Sequence, residues 1–178
     1  MSDTGLSNIL PWLLALSLTG CGAAQRVTDG TASALRAVFY PQIKVLRLDF
    51  TARAALNTDT RESYSLSEPV MVRVYQLKAR ETFDRAVYQQ LLNEGDILLA
   101  GDLLARRDVV ITPGGNVSLD MPMAADAQFV AVVGLFRHPD TTKNTWKLVL
   151  PRTALDPDKP RVLEAASNYL TLLPIKDK

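Results

Sequence analysis

The chain has 178 residues, and 20 Lys+Arg against 19 Asp+Glu give a net charge of only +1. That length suits one domain with a sizeable core, and the 47% of hydrophobic residues is ordinary for a globular protein. The balanced charge argues against a nucleic-acid-binding protein, and no apolar run reaches the ~20 residues of a membrane-spanning helix. One Cys and one His exclude a disulfide framework and a Cys/His metal cluster.

An apolar segment with one charged side chain, Asp3, occupies residues 1–20. Its hydrophobic stretch is too short to span a bilayer and has the length expected of a secretory signal. Signals usually open with Lys or Arg, whereas the first basic side chain here is Arg26. We interpret residues 1–20 as a lipoprotein signal peptide because of the motif that follows.

The signal leads into a motif that resembles a bacterial lipobox, namely Leu18, Thr19, Gly20 and Cys21. The thiol of Cys21 is the predicted acceptor of a diacylglycerol, and its new amino group would receive an N-acyl chain. Several acyl chains at ~0.8 kcal/mol per buried CH₂ give stable membrane anchoring. Apart from these covalent lipids, no cofactor is predicted. The alternative is a buried structural cysteine that follows an apolar helix.

Three regions are predicted: the signal peptide 1–20, the lipidated cysteine with a flexible tether 21–42, and a β-sandwich domain 43–178. Residues 22–33 are small and polar, which is typical of a tether. Gly22 stands where lipoproteins retained in the inner membrane commonly carry Asp, and this resembles the pattern for sorting to the outer membrane.

Alternating apolar and polar residues predict strands along the rest of the chain. The predicted strands are 43–51, 70–77, 97–99, 108–111, 116–121, 129–136, 146–150 and 168–174. The strand 129–136 is the most apolar and is predicted to be central and buried on both faces. The turn at residues 113–115 predicts a hairpin-like connection.

One helix is predicted over residues 80–94, ending at Gly95. Its apolar stripe, predicted to contact the core, comprises Phe83, Val87, Tyr88, Leu91 and Leu92. About eight short strands and one helix predict a mainly β protein, a two-sheet antiparallel β-sandwich with one α-helix inserted near 80–94.

No pattern of catalytic residues is visible. His138 follows the central strand beside Pro139, without a nucleophile motif to accompany it, so we interpret it as a solvent-exposed turn residue. The positive signal is a loop at residues 53–69, far longer than two strands need. It carries Leu56, Arg61, Tyr64 and Leu66, and exposed aromatic, apolar and Arg side chains are common anchors of protein interfaces.

Several blocks resemble the TssJ (SciN) family, the outer-membrane lipoproteins of the bacterial type VI secretion system. The matching blocks are the lipobox, Ala55-Leu56-Asn57, Pro69 to Lys78 (PVMVRVYQLK), Ile111-Thr112-Pro113-Gly114, Phe129 to Arg137 (FVAVVGLFR) and Trp146. The resemblance covers most of the chain from Cys21 to Trp146. The family pattern Asn-Pro-Asp after the first strand is here Asn57-Thr58-Asp59, without the proline.

The resemblance implies a transthyretin-like sandwich and a non-enzymatic, lipid-anchored protein at the outer membrane, with its domain in the periplasm. It implies that the protein tethers the periplasmic C-terminal domain of TssM, and indirectly TssL, through the loop after the first strand. The implied partner-binding residues are Leu56, Asn57, Arg61, Tyr64 and Leu66. Three alternatives stay open: a periplasmic lipoprotein that binds a sugar or small ligand, a hydrolase that needs His138, and a structural lipoprotein of another outer-membrane assembly.

Overall fold

The computed structural model describes residues 42–59 and 66–175, which belong to a compact unit beginning at Gln42. The strands are β1 (Val45–Leu56), β2 (Val70–Leu77), β3 (Leu103–Ile111), β4 (Asn116–Pro122), β5 (Phe129–Gly134), β6 (Lys147–Pro151), β7 (Arg161–Ser167) and β8 (Tyr169–Leu172). The helices are α1 (Glu81–Arg85), α2 (Tyr88–Leu98) and a 3-10 turn (Arg152–Ala154). Over these described ranges, no helix has both the length and the apolar character needed to cross a membrane.

The strands form two sheets of four, which confirms the predicted sandwich. The first sheet has the order β4-β1-β7-β8 and the second β3-β2-β5-β6. The sheets are antiparallel, as predicted, except for one pair: β1 and β7 run parallel, with Leu48 opposite Arg161. The chain between β1 and β7 is long and includes the four strands of the second sheet. A connection of this length allows neighbouring strands to run parallel.

The hydrophobic core lies between the sheets. Leu46, Leu48 and Phe50 of β1 alternate with partly exposed residues and are fully buried. From the second sheet, β5 lies between β2 and β6, and its residues 130–134 are all buried, as predicted for the central strand. Burying a large apolar side chain contributes about 1.5–3 kcal/mol. The buried residues of β1 and β5 therefore determine the register of these strands in the sandwich.

One predicted strand is wrong, and one strand was not predicted. Residues 97–99 end α2 instead of forming a strand, and β7 at residues 161–167 was not predicted. Arg161 and Glu164 interrupt the apolar pattern of β7, although it is an internal strand of the first sheet. The turn at residues 113–115 is also not a hairpin, because β3 and β4 belong to different sheets; it carries the chain from one sheet to the other.

The predicted helix is two helices. Ala86 and Val87 have extended backbones and α2 begins at Tyr88, so the helical periodicity does not continue from Phe83 onward. Phe83, Tyr88 and Leu91 are buried as predicted, whereas Val87 is 58% exposed. The helix is kinked at Glu94 (φ −132°, ψ 19°), directly before the predicted end at Gly95. It then continues through Gly95, which is buried, to the cap residue Leu99.

Lys147 explains why α1 stops. Its Nζ donates hydrogen bonds to the carbonyl oxygens of Phe83, Asp84 and Ala86, at 3.1, 2.9 and 2.8 Å. The ammonium also lies 5.3 Å from the ring centroid of Phe83 and 5.1 Å from that of Trp146. Burial lowers the pKa of Lys147 from its usual value. A cation here satisfies carbonyls that the end of a helix leaves open.

Replacing Lys147 with methionine should therefore lower the free energy of unfolding by about 1 kcal/mol, because the stem stays and the three hydrogen bonds are lost. Urea denaturation of the two proteins measures the difference. Lys143→Met removes the same charge from an exposed position and should change little. Equal losses in the two variants would show that Lys147 does not cap α1.

The twelve residues of strand β1 separate the point where the chain enters the sandwich from the loop that follows the strand. Next to its start, Arg152 Nη2 donates to the Ile43 carbonyl at 2.9 Å and the Met123 amide donates to the Lys44 carbonyl at 2.9 Å. Twelve residues later β1 ends at Leu56. At ~3.3 Å per residue, the point where the chain enters the sandwich and the loop after β1 lie on the order of 35 Å apart.

Candidate partner-binding loop

The loop after β1 is shorter than predicted, because residues 53–56 belong to the strand. The register of β1 against β7 shifts between Ala52 and Leu56, and this irregularity explains why the apolar alternation fades before the strand ends. We name residues 57–69 the β1–β2 loop. Its residues 57–59 and 66–69 are described, and we call these two segments its stems. Arg61 and Tyr64 lie outside the described residues.

The two stems of the β1–β2 loop are joined by hydrogen bonds. The Glu68 amide donates to the Leu56 carbonyl at 3.1 Å. The side-chain amide of Asn57 donates from Nδ2 to the Pro69 carbonyl at 3.0 Å. The two ends of the loop therefore lie next to each other.

Asn57 also joins this stem to two other segments. Its Oδ1 accepts a hydrogen bond from the Arg137 amide at 2.8 Å, and its own amide donates to the Ser167 carbonyl. Beside it, Asn168 Nδ2 donates to the Thr58 carbonyl at 2.8 Å. Asn57 has a φ of +50°, a left-handed conformation that Asn tolerates better than most residues.

One ion pair and one histidine–carboxylate contact join the two stems to the segment after β5. Arg137 Nη1 lies 2.8 Å from Glu68 Oε1, and His138 Nε2 lies 2.9 Å from Asp59 Oδ2. The Asp59 side chain is only 9% exposed and that of His138 is 35% exposed. The interpretation of His138 as a solvent-exposed turn residue is thus wrong in part: it follows β5 in a turn, but its ring is bound to the loop stem.

A groove of about 410 Å³ adjoins these contacts. It is lined by Val87, Tyr88, Gln89, Arg137, His138, Pro139 and Thr141. The hydroxyl of Tyr88 donates to the Phe136 carbonyl, and burial raises the pKa of Tyr88 to about 12, so it stays protonated at neutral pH. Its ring packs edge-on against Trp146, with centroids 5.0 Å apart. A sugar site would need clustered aromatic faces, and this lining supplies one.

The structure separates the predicted partner-binding residues into two groups. Leu66 is 75% exposed, whereas Leu56 is fully buried and Asn57 is 4% exposed. Leu56 and Asn57 shape the base of the loop in the free chain and present almost no surface. The lipobox residues Leu18, Thr19 and Gly20 and the lipidation site Cys21 lie outside the described residues.

Sequence reasoning missed the contribution of Asp59, Glu68 and Arg137. Asp59 and Glu68 look like scattered carboxylates, and Arg137 follows the most apolar strand without any pattern of its own. Their partners are 69 or more residues away in the sequence, so the sheet order brings them together. In the part of the chain that is described, no group of three His, Cys, Asp or Glu side chains could hold a metal ion.

Comparisons with known proteins agree with this architecture. A chain of a structure described as a type VI membrane complex is 47% identical, with a TM-score of 0.70, and covers 75% of this chain and 100% of its own length. A chain of a structure described as the type VI TssM C-terminal domain from EAEC is 45% identical, with a TM-score of 0.67 and the same two coverages. The lipoprotein TssJ1 of Pseudomonas aeruginosa shares the fold, at 19% identity and a TM-score of 0.62 over 77% of this chain and 100% of its own. No curated protein sequence matches the chain.

The fold and the joined stems define a β-sandwich protein whose first strand leads into a long loop. The family model of type VI secretion lipoproteins, described by the names VasD, EvfM and TssJ, matches residues 44–168. The chain belongs to this family, as the resemblance implied.

Proposed function

We propose that this protein anchors the type VI secretion membrane complex to the outer membrane, by holding the periplasmic C-terminal domain of TssM through its β1–β2 loop. TssL is then held indirectly, through TssM, and no catalytic step is involved. The lipid on Cys21 would fix the protein to the membrane, with its domain in the periplasm. The family membership and the two similar chains from type VI structures support this role.

The position of the loop is the observation that carries the proposal. The chain enters the sandwich beside Ile43, whereas the β1–β2 loop lies beyond the other end of β1. A lipid anchor ahead of residue 42 therefore leaves the loop end of the sandwich free to point away from the membrane. Hydrogen bonds between the stems limit the entropy that the loop loses when it binds.

Leu66 supplies the apolar contact in this proposal. It is 75% exposed on a loop whose ends are fixed, and burying such a side chain contributes about 1.5–3 kcal/mol. Arg61 and Tyr64, which the sequence predicts beside it, are part of the same proposed contact.

The test is binding of the full-length chain, purified in detergent, to the periplasmic C-terminal domain of TssM from the same secretion system. Leu66→Asp should weaken binding at least ten-fold, because a carboxylate would have to be desolvated in the interface. Tyr64→Ala should weaken it about five-fold or more.

Ile97→Asp is the matched control, since Ile97 is 80% exposed on α2 and receives the same change. It should bind as the wild type does. If Leu66→Asp and Ile97→Asp bind equally well, the loop is not the contact. If the wild-type chain does not bind at all, the anchoring role itself is wrong.

A further inference from the structure

The groove beside the loop stem is lined by the cation Arg137, whose carboxylate partner, Glu68, lies outside the lining. Of the seven residues that line it, Arg137 is a permanent cation and none is a carboxylate. Gln89 and Thr141 add polar groups, and Val87 is an apolar residue that is 58% exposed. We infer that this groove receives an Asp or Glu side chain, flanked by an apolar residue, from the protein partner. The inference rests on the proposed function and adds a second contact to it.

The charge of Arg137 is available for exchange. Its ion pair with Glu68 joins side chains that are 37% and 49% exposed. Exposed pairs of this kind contribute only about 0–1 kcal/mol, because water and salt screen them. A partner carboxylate that reaches Arg137 inside the groove meets less water and can accept two parallel hydrogen bonds from the guanidinium.

The apolar side of the groove is preorganised. Val87 lies between the two helices with an extended backbone, and its amide donates to Gln90 Oε1 at 3.1 Å. Tyr88 is held by its bond to the Phe136 carbonyl and by its packing against Trp146. An apolar residue next to the partner's carboxylate would cover Val87 without a rearrangement of α2.

The groove is continuous with the β1–β2 loop. Arg137 and His138 line it, and the same two residues contact Glu68 and Asp59 on the loop stems. A partner that rests on Leu66 and extends toward β5 therefore reaches the groove along one surface. The cation in the lining and the continuity with the loop together favour a single acidic segment of that partner over a small free ligand.

The experiment breaks one ion pair from either side by matched amide substitutions. Arg137→Gln and Glu68→Gln are made in the full-length chain, and each is titrated with the TssM periplasmic domain. Arg137→Gln should weaken binding about ten-fold, since a charge-assisted contact is lost. Glu68→Gln should strengthen binding about two- to five-fold, because it frees Arg137 from its intramolecular competitor. Arg107→Gln, at an exposed position of β3, should change nothing.

The direction in which Glu68→Gln changes the affinity distinguishes a partner contact at Arg137 from a purely structural ion pair. If both variants weaken binding equally, the pair only fixes the loop stem and the inference is wrong, while the anchoring role stands. If neither variant changes the affinity, the groove is not contacted and the inference is also wrong. If the wild-type chain does not bind, the proposed function fails and takes this inference with it. Thermal denaturation of each variant excludes a loss of fold as the cause.

Discussion

Replacing Gly95 with alanine should lower the free energy of unfolding by about 2 kcal/mol, although alanine favours helices by about 1 kcal/mol. A Cβ at this position would lie 2.3 Å from the hydroxyl oxygen of Tyr75. Tyr75 is fully buried between α2 and the second sheet, so its ring has no room to retreat. The steric cost should therefore exceed the gain in helix propensity. Chemical denaturation of the two proteins measures the difference.

Tyr75→Phe provides the control, because it removes only the atom that the new methyl group would meet. The Tyr75 hydroxyl is buried and interacts with the Arg73 guanidinium, so losing it should cost about 1 kcal/mol. That cost is common to both proteins of the Tyr75→Phe background and cancels from the comparison. In this background the nearest remaining atom is the ring Cζ, at 3.4 Å from the added Cβ, and Gly95→Ala should become neutral or slightly stabilising. Equal destabilisation in both backgrounds would show that the Tyr75 hydroxyl is not the obstacle.

The example of Gly95 shows where sequence patterns stop being informative. A glycine near the end of an apolar stripe is typical of a helix end, and that is how the pattern predicted it. The helix does kink at Glu94, but it continues, and the approach of Tyr75 from β2 is what requires glycine at position 95. The break after α1 has the same origin, since the cation that caps it is Lys147, more than sixty residues further along the chain.

The strands were predictable where one face is buried and the other is solvated. Leu46, Leu48 and Phe50 alternate because the first sheet has an inner and an outer face. Strand β7 was missed because Arg161 begins it and Glu164 interrupts it, although its position between β1 and β8 makes it internal. The parallel pairing of β1 with β7 follows from sheet order, which no local pattern contains.

The candidate site divides in the same way. A long polar segment with Leu66 could be predicted to present an exposed apolar residue, because loops run over the surface. The contacts that anchor the loop could not be predicted, since Asp59 and Glu68 lie 69 or more residues from His138 and Arg137 in the sequence. The same contacts explain why Asn57 is buried instead of presented to a partner.

Replacing Asn57 with alanine should lower the free energy of unfolding by about 3 kcal/mol, the largest effect expected in this region. The substitution leaves the Pro69 carbonyl and the Arg137 amide without their side-chain partner. It also places alanine at a φ of +50°, which costs about 1 kcal/mol more than it does for Asn. Urea denaturation measures the total, and faster hydrogen exchange at the amides of Arg137 and Glu68 would locate it.

Two controls separate the hydrogen bonds from the backbone conformation. Asn57→Gly loses the same hydrogen bonds but adopts a positive φ freely, so it should recover about 1 kcal/mol relative to alanine. Asn144 has a φ of +53° at an exposed position, and Asn144→Ala should show the conformational part alone. If Asn144→Ala costs as much as Asn57→Ala, the hydrogen bonds of Asn57 contribute nothing.

The same Asn57 variant connects the stability of the stem with the proposed binding. A loop whose stems are no longer joined must be ordered at the moment of binding, and that entropy is subtracted from the affinity. At a temperature where the sandwich remains folded, Asn57→Ala should therefore bind the TssM domain several-fold more weakly, whereas Asn144→Ala should bind normally. Unchanged affinity in a destabilised Asn57 variant would mean that the partner itself orders the loop. The hydrogen bonds of the stem would then serve the fold alone.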